Sequence, residues 1–253
     1  MKLSLIIPAY NEEKRIFKTL ESYKFFLDSK NLDYKIIVVL NGCKDNTQKI
    51  VEPFLDIKTN MLVFERGIGK GGAIMEGFKI ARGEYIGFVD ADSATSPEEF
   101  YKLFENLESN KELSGVIASR YCKGAKILQK QPLSRRFASR VFNLFIRGLF
   151  GLNFADTQCG AKIFKKEAIK KILPQLGITK WSFDIDLLYL LKKNKFKIKE
   201  FPTIWSEPGE SKLKVLKTSI EMFLSILRLR LVYSPLKFIV KIYDWSLGKW
   251  IHK

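Results

Sequence analysis

Histidine is almost missing from this chain. Among its 253 residues there is one, His252. That excludes a Ser-His-Asp triad, a His-Glu-x-x-His zinc site and any other imidazole-centred acid–base scheme in the core. Cysteine is scarce as well. Cys43, Cys122 and Cys159 are odd in number, far apart and form no Cys-x-x-Cys. Neither a disulfide framework nor a zinc ribbon is expected, and a reducing compartment fits. Long uncharged apolar runs are also lacking. Pro8 ends the run Leu3–Ile7 before it reaches the length of a signal-peptide core. No stretch reaches the roughly 18 residues of a spanning helix, so no transmembrane segment is expected. The chemistry left open is that of carboxylates, Arg and Lys.

What is present points to a packed domain. Hydrophobic residues make up 46% and charged residues 28%, which supports a sizeable core and excludes global disorder. The net charge of +17 is unevenly placed. Residues 1–118 carry 16 Lys/Arg against 18 Asp/Glu, whereas residues 119–253 carry 28 against 9. The whole basic excess therefore belongs to the second half. It calls for an anionic partner, either nucleic acid or a lipid headgroup layer, unless it is only a solvated lysine-rich surface.

Strands and helices alternate through residues 1–118. Leu3–Ile7, Lys35–Leu40, Met61–Glu65 and Tyr85–Val89 read as strands. Glu12–Leu27, a stretch after Asp45, Gly72–Ala81 and Pro97–Leu107 read as helices, the last with Ser96 as its N-cap. Near-continuous apolar strands between amphipathic helices predict an α/β fold with a mostly parallel sheet covered on both faces. Such sheets bind ligands beyond the C-terminal ends of their strands, at the loops beginning with Pro8, Asn41, Arg66 and Asp90. Residues Tyr121–Pro132 are polar and basic. Ser134–Asn153, Val215–Val232 and Leu236–Ile251 then show wide apolar faces. In the first, a narrow polar stripe runs through Arg136, Arg140, Asn143 and Arg147; in the last it runs through Lys237, Lys241, Asp244 and Gly248. Apolar width, basic edges and Trp245 and Trp250 describe helices lying in a membrane surface; the alternative is that these faces cap a core.

Asp90-Ala91-Asp92 follows the strand Tyr85–Val89. Carboxylates two apart in extended backbone project to one side, and oxygen ligands of that kind suit Mg²⁺ or Mn²⁺ together with substrate phosphates. Gly67, Gly69 and Gly72 form a Gly-x-Gly-x-x-Gly between a strand and a helix, the pattern of an NAD-binding loop. Three features oppose that reading: it does not follow the first strand, Lys70 stands inside it, and the acidic position is already claimed by the Asp90/Asp92 pair; nor is it a P-loop, because no Lys-Ser/Thr follows.

Ile6–Glu12, Asn41–Thr47, Gly69–Ala73 and Asp90–Asp92 together resemble, in order, the motifs of family 2 glycosyltransferases with the GT-A fold. Ala118–Arg120, Asp156–Lys162, Trp181–Tyr189 and Gly209–Leu213 narrow the resemblance to the dolichyl-phosphate β-glucosyltransferase branch, over about residues 3–233. The resemblance implies a GT-A Rossmann-like domain over 1–213, with a nucleotide-binding half (1–118) and an acceptor half (119–213). Residues 214–253 would form amphipathic helices at the membrane. It implies that Pro8, Ala9, Tyr10, Glu12 and Asn41 hold the nucleotide, that Lys70 approaches the donor, and that Asp90, Ala91 and Asp92 bind donor and metal. Ser211 and Lys212 would close over the diphosphate. Leu40-Asn41-Gly42-Cys43 departs from the usual Asp-Asp-Gly-Ser, and Ala94 stands where related mannosyltransferases carry Gln.

The implied reaction is inverting transfer of glucose from UDP-glucose to dolichyl or polyprenyl phosphate at the cytoplasmic membrane face. Alternatives are another sugar nucleotide such as GDP-mannose, a glycolipid acceptor or, more distantly, an NAD-binding oxidoreductase. A phosphate acceptor, largely dianionic with a second pKa of about 6, needs no strong base. It needs cations, and Arg120–Arg147 holds eight Lys/Arg and no acid. Arg120, Arg135, Arg136 and Arg140 are the expected phosphate ligands. Asp92, Asp184 and Arg120 are the expected catalytic groups, with Asp156 and Gln158 in support. Asp184 falls where the family places its base and here is expected to orient the reacting groups. The expected partners are the nucleotide sugar, the lipid phosphate and an anionic membrane surface, with no nucleic acid and with self-association left open.

Overall fold

The computed structural model describes residues 1–128, 133–177, 182–206 and 215–240. Its strands are β1 (Leu3–Ala9), β2 (Tyr34–Asn41), β3 (Thr59–Phe64), β4 (Tyr85–Phe88), β5 (Gly115–Ser119), β6 (Lys126–Ile127), β7 (Lys162–Lys165), β8 (Ile198–Pro202) and β9 (Ile204–Trp205). Its helices are α1 (Ile16–Ser29), α2 (Thr47–Val51), α3 (Gly69–Ile80), α4 (Pro97–Ser109), α5 (Leu133–Phe150), α6 (Lys166–Ile172), α7 (Phe183–Lys193) and α8 (Val215–Val232).

Seven strands form one sheet in the order β3-β2-β1-β4-β7-β5-β8, and β6 pairs with β9 apart from it. The sheet is parallel as expected except at β7, which runs antiparallel to both β4 and β5. This reversal has a local consequence. The start of β7 lies beside the end of β4, so the residues just before Lys162 reach the edge where Asp90 leaves the sheet.

Side chains alternate across the sheet and divide the core in two. Ile6, Ile37, Val39, Phe88, Ile117 and Phe164 pack beneath α3, α5, α6, α7 and α8. Leu5, Ile7, Val38, Leu40, Val116 and Ile163 pack beneath α1 and α4. Every residue of β1 is buried, as a central strand covered on both faces requires.

Two helix starts differ from expectation. Helix α1 begins at Ile16 because Glu12–Arg15 form a turn, with the Glu12 carbonyl accepting the N–H groups of Arg15 and Ile16 at 2.9 Å each. Helix α3 begins at Gly69, so Gly69–Gly72 is its first turn. Helix α4 starts as predicted, with Ser96 Oγ accepting the Glu99 N–H at 3.4 Å and Pro97 in the first turn.

The wide apolar face of α5 serves two directions. Ile146 and Phe150 are buried in the core, while Val141, Leu144 and Phe145 are exposed. Helix α8 sends Ile226 and Leu229 into the same core and stacks Phe223 edge-on against Phe145. Beyond it the Tyr233 hydroxyl donates to Asp186 Oδ1 at 2.5 Å, and Ser182 hydrogen-bonds Ser225. Both α5 and α8 thus contribute to the domain core as well as to its surface. The helix expected over Leu236–Ile251 lies largely outside the described residues, as do Trp245 and Trp250. Among the described residues no helix is long and apolar enough to cross a membrane.

Candidate active site

A cleft of about 250 Å³ opens at the C-terminal ends of β1, β2 and β4, lined by Pro8, Ala9, Tyr10, Glu12, Asn41, Lys70, Asp90, Ala91 and Asp92. These are nine of the eleven positions expected around a nucleotide donor; the other two, Ser211 and Lys212, lie outside the described residues. A wider depression of about 520 Å³ at the other end of β4 is lined by Glu84, Tyr85, Lys165, Lys166, Glu167 and Lys170, so its carboxylates stand among three lysines.

Hydrogen bonds between loops shape the cleft. Asn41 Oδ1 accepts the Ile68 N–H at 2.6 Å, joining the loop after β2 to the glycine segment. Thr47 Oγ1 accepts the Glu12 N–H at 2.8 Å, and Asp45 accepts the Glu13 N–H at 3.1 Å. Asp45 also takes the Thr47 N–H at 3.0 Å; burial opposes its charge, yet these bonds hold its carboxyl below the usual range. Beneath Asp92, Thr19 donates to the Ala91 carbonyl at 2.9 Å and Tyr23 to the Thr95 carbonyl at 3.0 Å. Helix α1 is thereby a buttress for the Asp90–Asp92 segment. Asn11 and Ser93, which flank the cleft, have φ of 54° and 60° in the left-handed region.

Within residues 67–72, Gly71 serves packing. A Cβ on Gly71 would lie 2.5 Å from Phe183, so the missing side chain lets α3 meet the start of α7. A Cβ on Gly42 would lie 2.7 Å from the Gly67 nitrogen. Gly71 is not one of the three glycines of the NAD-like pattern; of those, Gly69 takes φ of 80° in the left-handed region as it opens α3.

Charge concentrates at the cleft mouth. Lys70 Nζ lies 2.5 Å from Asp90 Oδ1. Burial opposes the lysine's charge, but Asp90, Asp184 and Asp92 together raise its pKa above the ordinary value. Asp92 is shifted upward by burial and by Asp90, against a hydrogen bond from the Ala94 N–H at 3.0 Å. Glu12 is also raised, chiefly by burial, despite a two-bond pairing with Arg15 at 2.7 Å each. Gly160 gives Asp90 its space, since a Cβ there would come within 2.0 Å of Asp90 Oδ2. Asp90 and Asp92 thus form an oxygen donor set with excess negative charge, to which Lys70 supplies a cation. That set fits a hard divalent ion. No group of three His, Cys, Asp or Glu side chains able to hold a metal occurs among the described residues. The protein's share is the carboxylate pair, as for Mg²⁺ or Mn²⁺ completed by phosphates and water.

The remaining expected residues fall into three groups. Arg120 directs its fork into Asp156, with Nε and Nη2 at 2.7 and 3.0 Å, and lies over the Trp205 ring at 5.3 Å. The Asp156 backbone N–H, with that of Ala155, binds Glu200 at 2.7 Å. Burial would raise the Asp156 carboxyl, but Arg120 holds it below the usual carboxylate range. Gln158 donates its backbone N–H to Asp156 at 3.2 Å. In this arrangement Arg120 is an anchor for Asp156 rather than an open phosphate fork. Asp184, on the first turn of α7, receives Lys162 Nζ at 2.6 Å. Arg135, Arg136 and Arg140 belong to α5, beyond the cleft loops in sequence, with side chains outside the described part of the structure. Ser211 and Lys212 lie outside it altogether.

Asp45, Thr47, Thr19, Gly160, Lys162 and Glu200 were not singled out from sequence. Asp45, Thr47, Gly160 and Lys162 lie inside motifs that were recognised. A lysine directly before the apolar pair Ile163-Phe164 was the available signal for Lys162.

Residues 4–173 match the family described as Glycosyl transferase family 2. The dolichyl-phosphate beta-glucosyltransferase of Dictyostelium discoideum is 34% identical over 91% of this chain and 74% of its own length. Its Homo sapiens counterpart is 31% identical over 92% and 76%. Among solved structures, glucosyl-3-phosphoglycerate synthase from Mycobacterium tuberculosis, in complex with Mn²⁺, UDP and glucosyl-3-phosphoglycerate, superposes with a TM-score of 0.64 at 17% identity, covering 90% of this chain and 79% of that one. The sheet with its cleft at the strand ends is therefore a GT-A-like fold, and the chain belongs to glycosyl transferase family 2, a glycosyltransferase by descent.

Proposed function

We propose that this enzyme transfers glucose from UDP-glucose to dolichyl or another polyprenyl phosphate, with inversion, at the cytoplasmic face of a membrane. The observation that carries the reading is the carboxylate pair Asp90/Asp92 at the mouth of a cleft lined by the loops of β1, β2 and β4. The names of the relatives supply the sugar and the lipid phosphate. The Mn²⁺ and UDP of the solved neighbour support the same cleft as donor site.

Pro8–Glu12 and Asn41 receive the nucleotide, and Lys70 moves its charge from Asp90 toward the donor phosphates. Asp90 and Asp92 hold Mg²⁺ or Mn²⁺, which when bound neutralises the diphosphate leaving group. A phosphate acceptor is already anionic at neutral pH, so the protein's task is to hold it in line behind the anomeric carbon rather than to deprotonate it. Arg135, Arg136 and Arg140 at the start of α5 are the proposed phosphate ligands. Asp184 orients the sugar or the groups around it. Ser211 and Lys212 cover the diphosphate.

Membrane contact is supported by the outer side of the helical pair. Leu144 and Phe145 of α5 and Leu236 and Phe238 after α8 are exposed, next in sequence to exposed Arg147 and Lys237. Apolar side chains that enter an interface beside cations that meet its headgroups describe an interfacial surface. The division expected at residue 213 is not kept, because α8 packs Ile226 and Leu229 into the catalytic domain; on this reading the membrane-facing part is the outer side of α5 together with the residues after α8.

The test is a panel of radiolabelled sugar nucleotides incubated with the full chain and dolichyl phosphate, scored for lipid-extractable product. UDP-glucose is expected to give the most product. Product only from GDP-mannose, or only with a glycolipid acceptor, would replace this assignment.

A further inference from the structure

Lys162 is fully buried, a rare position for lysine and a costly one unless its charge is used. Its ammonium is saturated. Nζ lies 2.6 Å from Asp184 Oδ1, 2.6 Å from the Cys159 carbonyl, and 5.3 Å from the centre of the Phe88 ring. A leucine or methionine would fill such a space without a charge to compensate, so packing alone does not account for the residue.

We propose that Lys162 is a positioning residue for the transfer reaction, holding the Asp184 carboxylate in one orientation relative to the Asp90–Asp92 strand. Three observations meet here. Lys162 stands opposite Phe88 in the antiparallel pairing of β7 with β4, two residues before Asp90. Directly opposed residues present their side chains to the same face, which is why the ammonium rests over that ring. Second, Gly160 presses on Asp90 so closely that any side chain there would collide with it. One short segment, 159–162, therefore touches Asp90 at its start and Asp184 at its end. Third, Gly71, next in sequence to Lys70, lies against Phe183, next in sequence to Asp184, and Lys70 is paired with Asp90 at 2.5 Å. The ion pairs Lys162–Asp184 and Lys70–Asp90 are thus linked twice, through the segment 160–162 and through the contact of Gly71 with Phe183. With Oδ1 bound to an interior cation, the Asp184 carboxylate loses the rotational freedom of an unpaired side chain. A flexible aspartate on the first turn of a helix becomes a group of fixed direction, as preorganised sites require.

The inference rests on the proposed role of Asp184, and the test separates the two. The full chain and the variants Lys162→Met, Asp184→Asn and the double variant are assayed with UDP-glucose and dolichyl phosphate, with kcat, donor KM and thermal midpoint measured for each. Asp184→Asn and Lys162→Met are each expected to lower kcat by about 100-fold, with donor KM within about threefold. In the Asp184→Asn background, Lys162→Met is expected to change kcat by less than about threefold, because residues acting as one unit are non-additive. A merely structural lysine would lower kcat by the same factor in both backgrounds, and that result overturns the proposal. Loss in Asp184→Asn without loss in Lys162→Met overturns it too. Full kcat in Asp184→Asn would remove the role of Asp184 and the proposal together. Should Lys162→Met fail to fold, the double variant, which carries neither charge, is compared with Asp184→Asn alone. Equal kcat supports the proposal, and a further drop of tenfold or more overturns it.

Discussion

The two halves of the molecule handle polar groups in opposite ways. In residues 1–118 the cleft is held by uncharged or backbone-directed bonds: Asn41 to Ile68, Thr47 to Glu12, Thr19 to Ala91 and Tyr23 to Thr95. Its carboxylates are left facing a cavity, and Asp92 and Glu12 are raised toward the protonated form by burial. In the second half, whose surface carries the basic excess, the buried charges are closed on one another. Arg120 is locked to Asp156 and Lys162 to Asp184, while Asp186 accepts a hydrogen bond from the neutral Tyr233 hydroxyl. The first half leaves negative charge in excess, with Glu12, Asp90 and Asp92 set against Arg15 and Lys70, and the second supplies rigidity behind it. Net charge is therefore a poor guide to where electrostatic work is done. The near-neutral half holds the unbalanced site, and the strongly basic half keeps its interior balanced.

The largest effect is expected from breaking a closed pair. Asp156→Ala leaves the buried Arg120 guanidinium without its partner and should cost about 3–5 kcal/mol of unfolding free energy, read by denaturant titration. The sign of its pH dependence follows from the lowered Asp156 carboxyl. Its stabilisation is full above the ordinary aspartate value of about 3.9 and is lost as pH falls through the lower value of the folded protein. Wild type should lose stability on acidification below about pH 4, with Asp156→Ala losing less over the same interval.

Next comes the open site. Asp92→Asn should lower kcat at least 100-fold while leaving the thermal midpoint within a few degrees, because that carboxylate answers to a ligand rather than to the fold. EDTA should act likewise until Mg²⁺ or Mn²⁺ is returned. Full activity in EDTA would remove the metal from the mechanism.

The smallest effect sharpens the division between substrates. Changing Arg135 and Arg136 together to Gln should raise the KM for polyprenyl phosphate by roughly tenfold or more, at ~1 kcal/mol for each basic residue near an anionic lipid surface. The dissociation constant for UDP-glucose, measured by calorimetry, should stay within twofold. A large loss of donor affinity instead would assign these arginines to the wrong substrate.

The donor half was legible because its signals are local. Apolar strands such as Lys35–Leu40 end at loops whose residues line the cleft, and Ser96-Pro97 starts α4 as read. The second half was less legible because its key relations are long-range. Strand β7 is four residues long with lysines at both ends, and only pairing with β4 and β5 makes it a strand. Arg120 reads as a free phosphate ligand until Asp156, distant in sequence, is seen across its fork. The apolar width of α5 was legible, but not its division between Ile146 and Phe150 inside and Leu144 and Phe145 outside. A helix with apolar side chains on most of its circumference gives no local sign of which part meets the core.

Strand β7 also dictates an order of events during synthesis. Strands β1 to β4 lie within the first 88 residues and can pair as soon as they leave the ribosome, yet the partner for the free edge of β4 begins at residue 162. For the time taken to make those intervening residues, β4 presents an unpaired row of backbone donors and acceptors, the kind of edge on which nascent chains aggregate. At about 5–20 residues per second that interval is on the order of 4–15 s. Whatever shields β4 in that interval, whether a chaperone or transient burial by its own helices, is as much a requirement of this enzyme as any residue in its cleft.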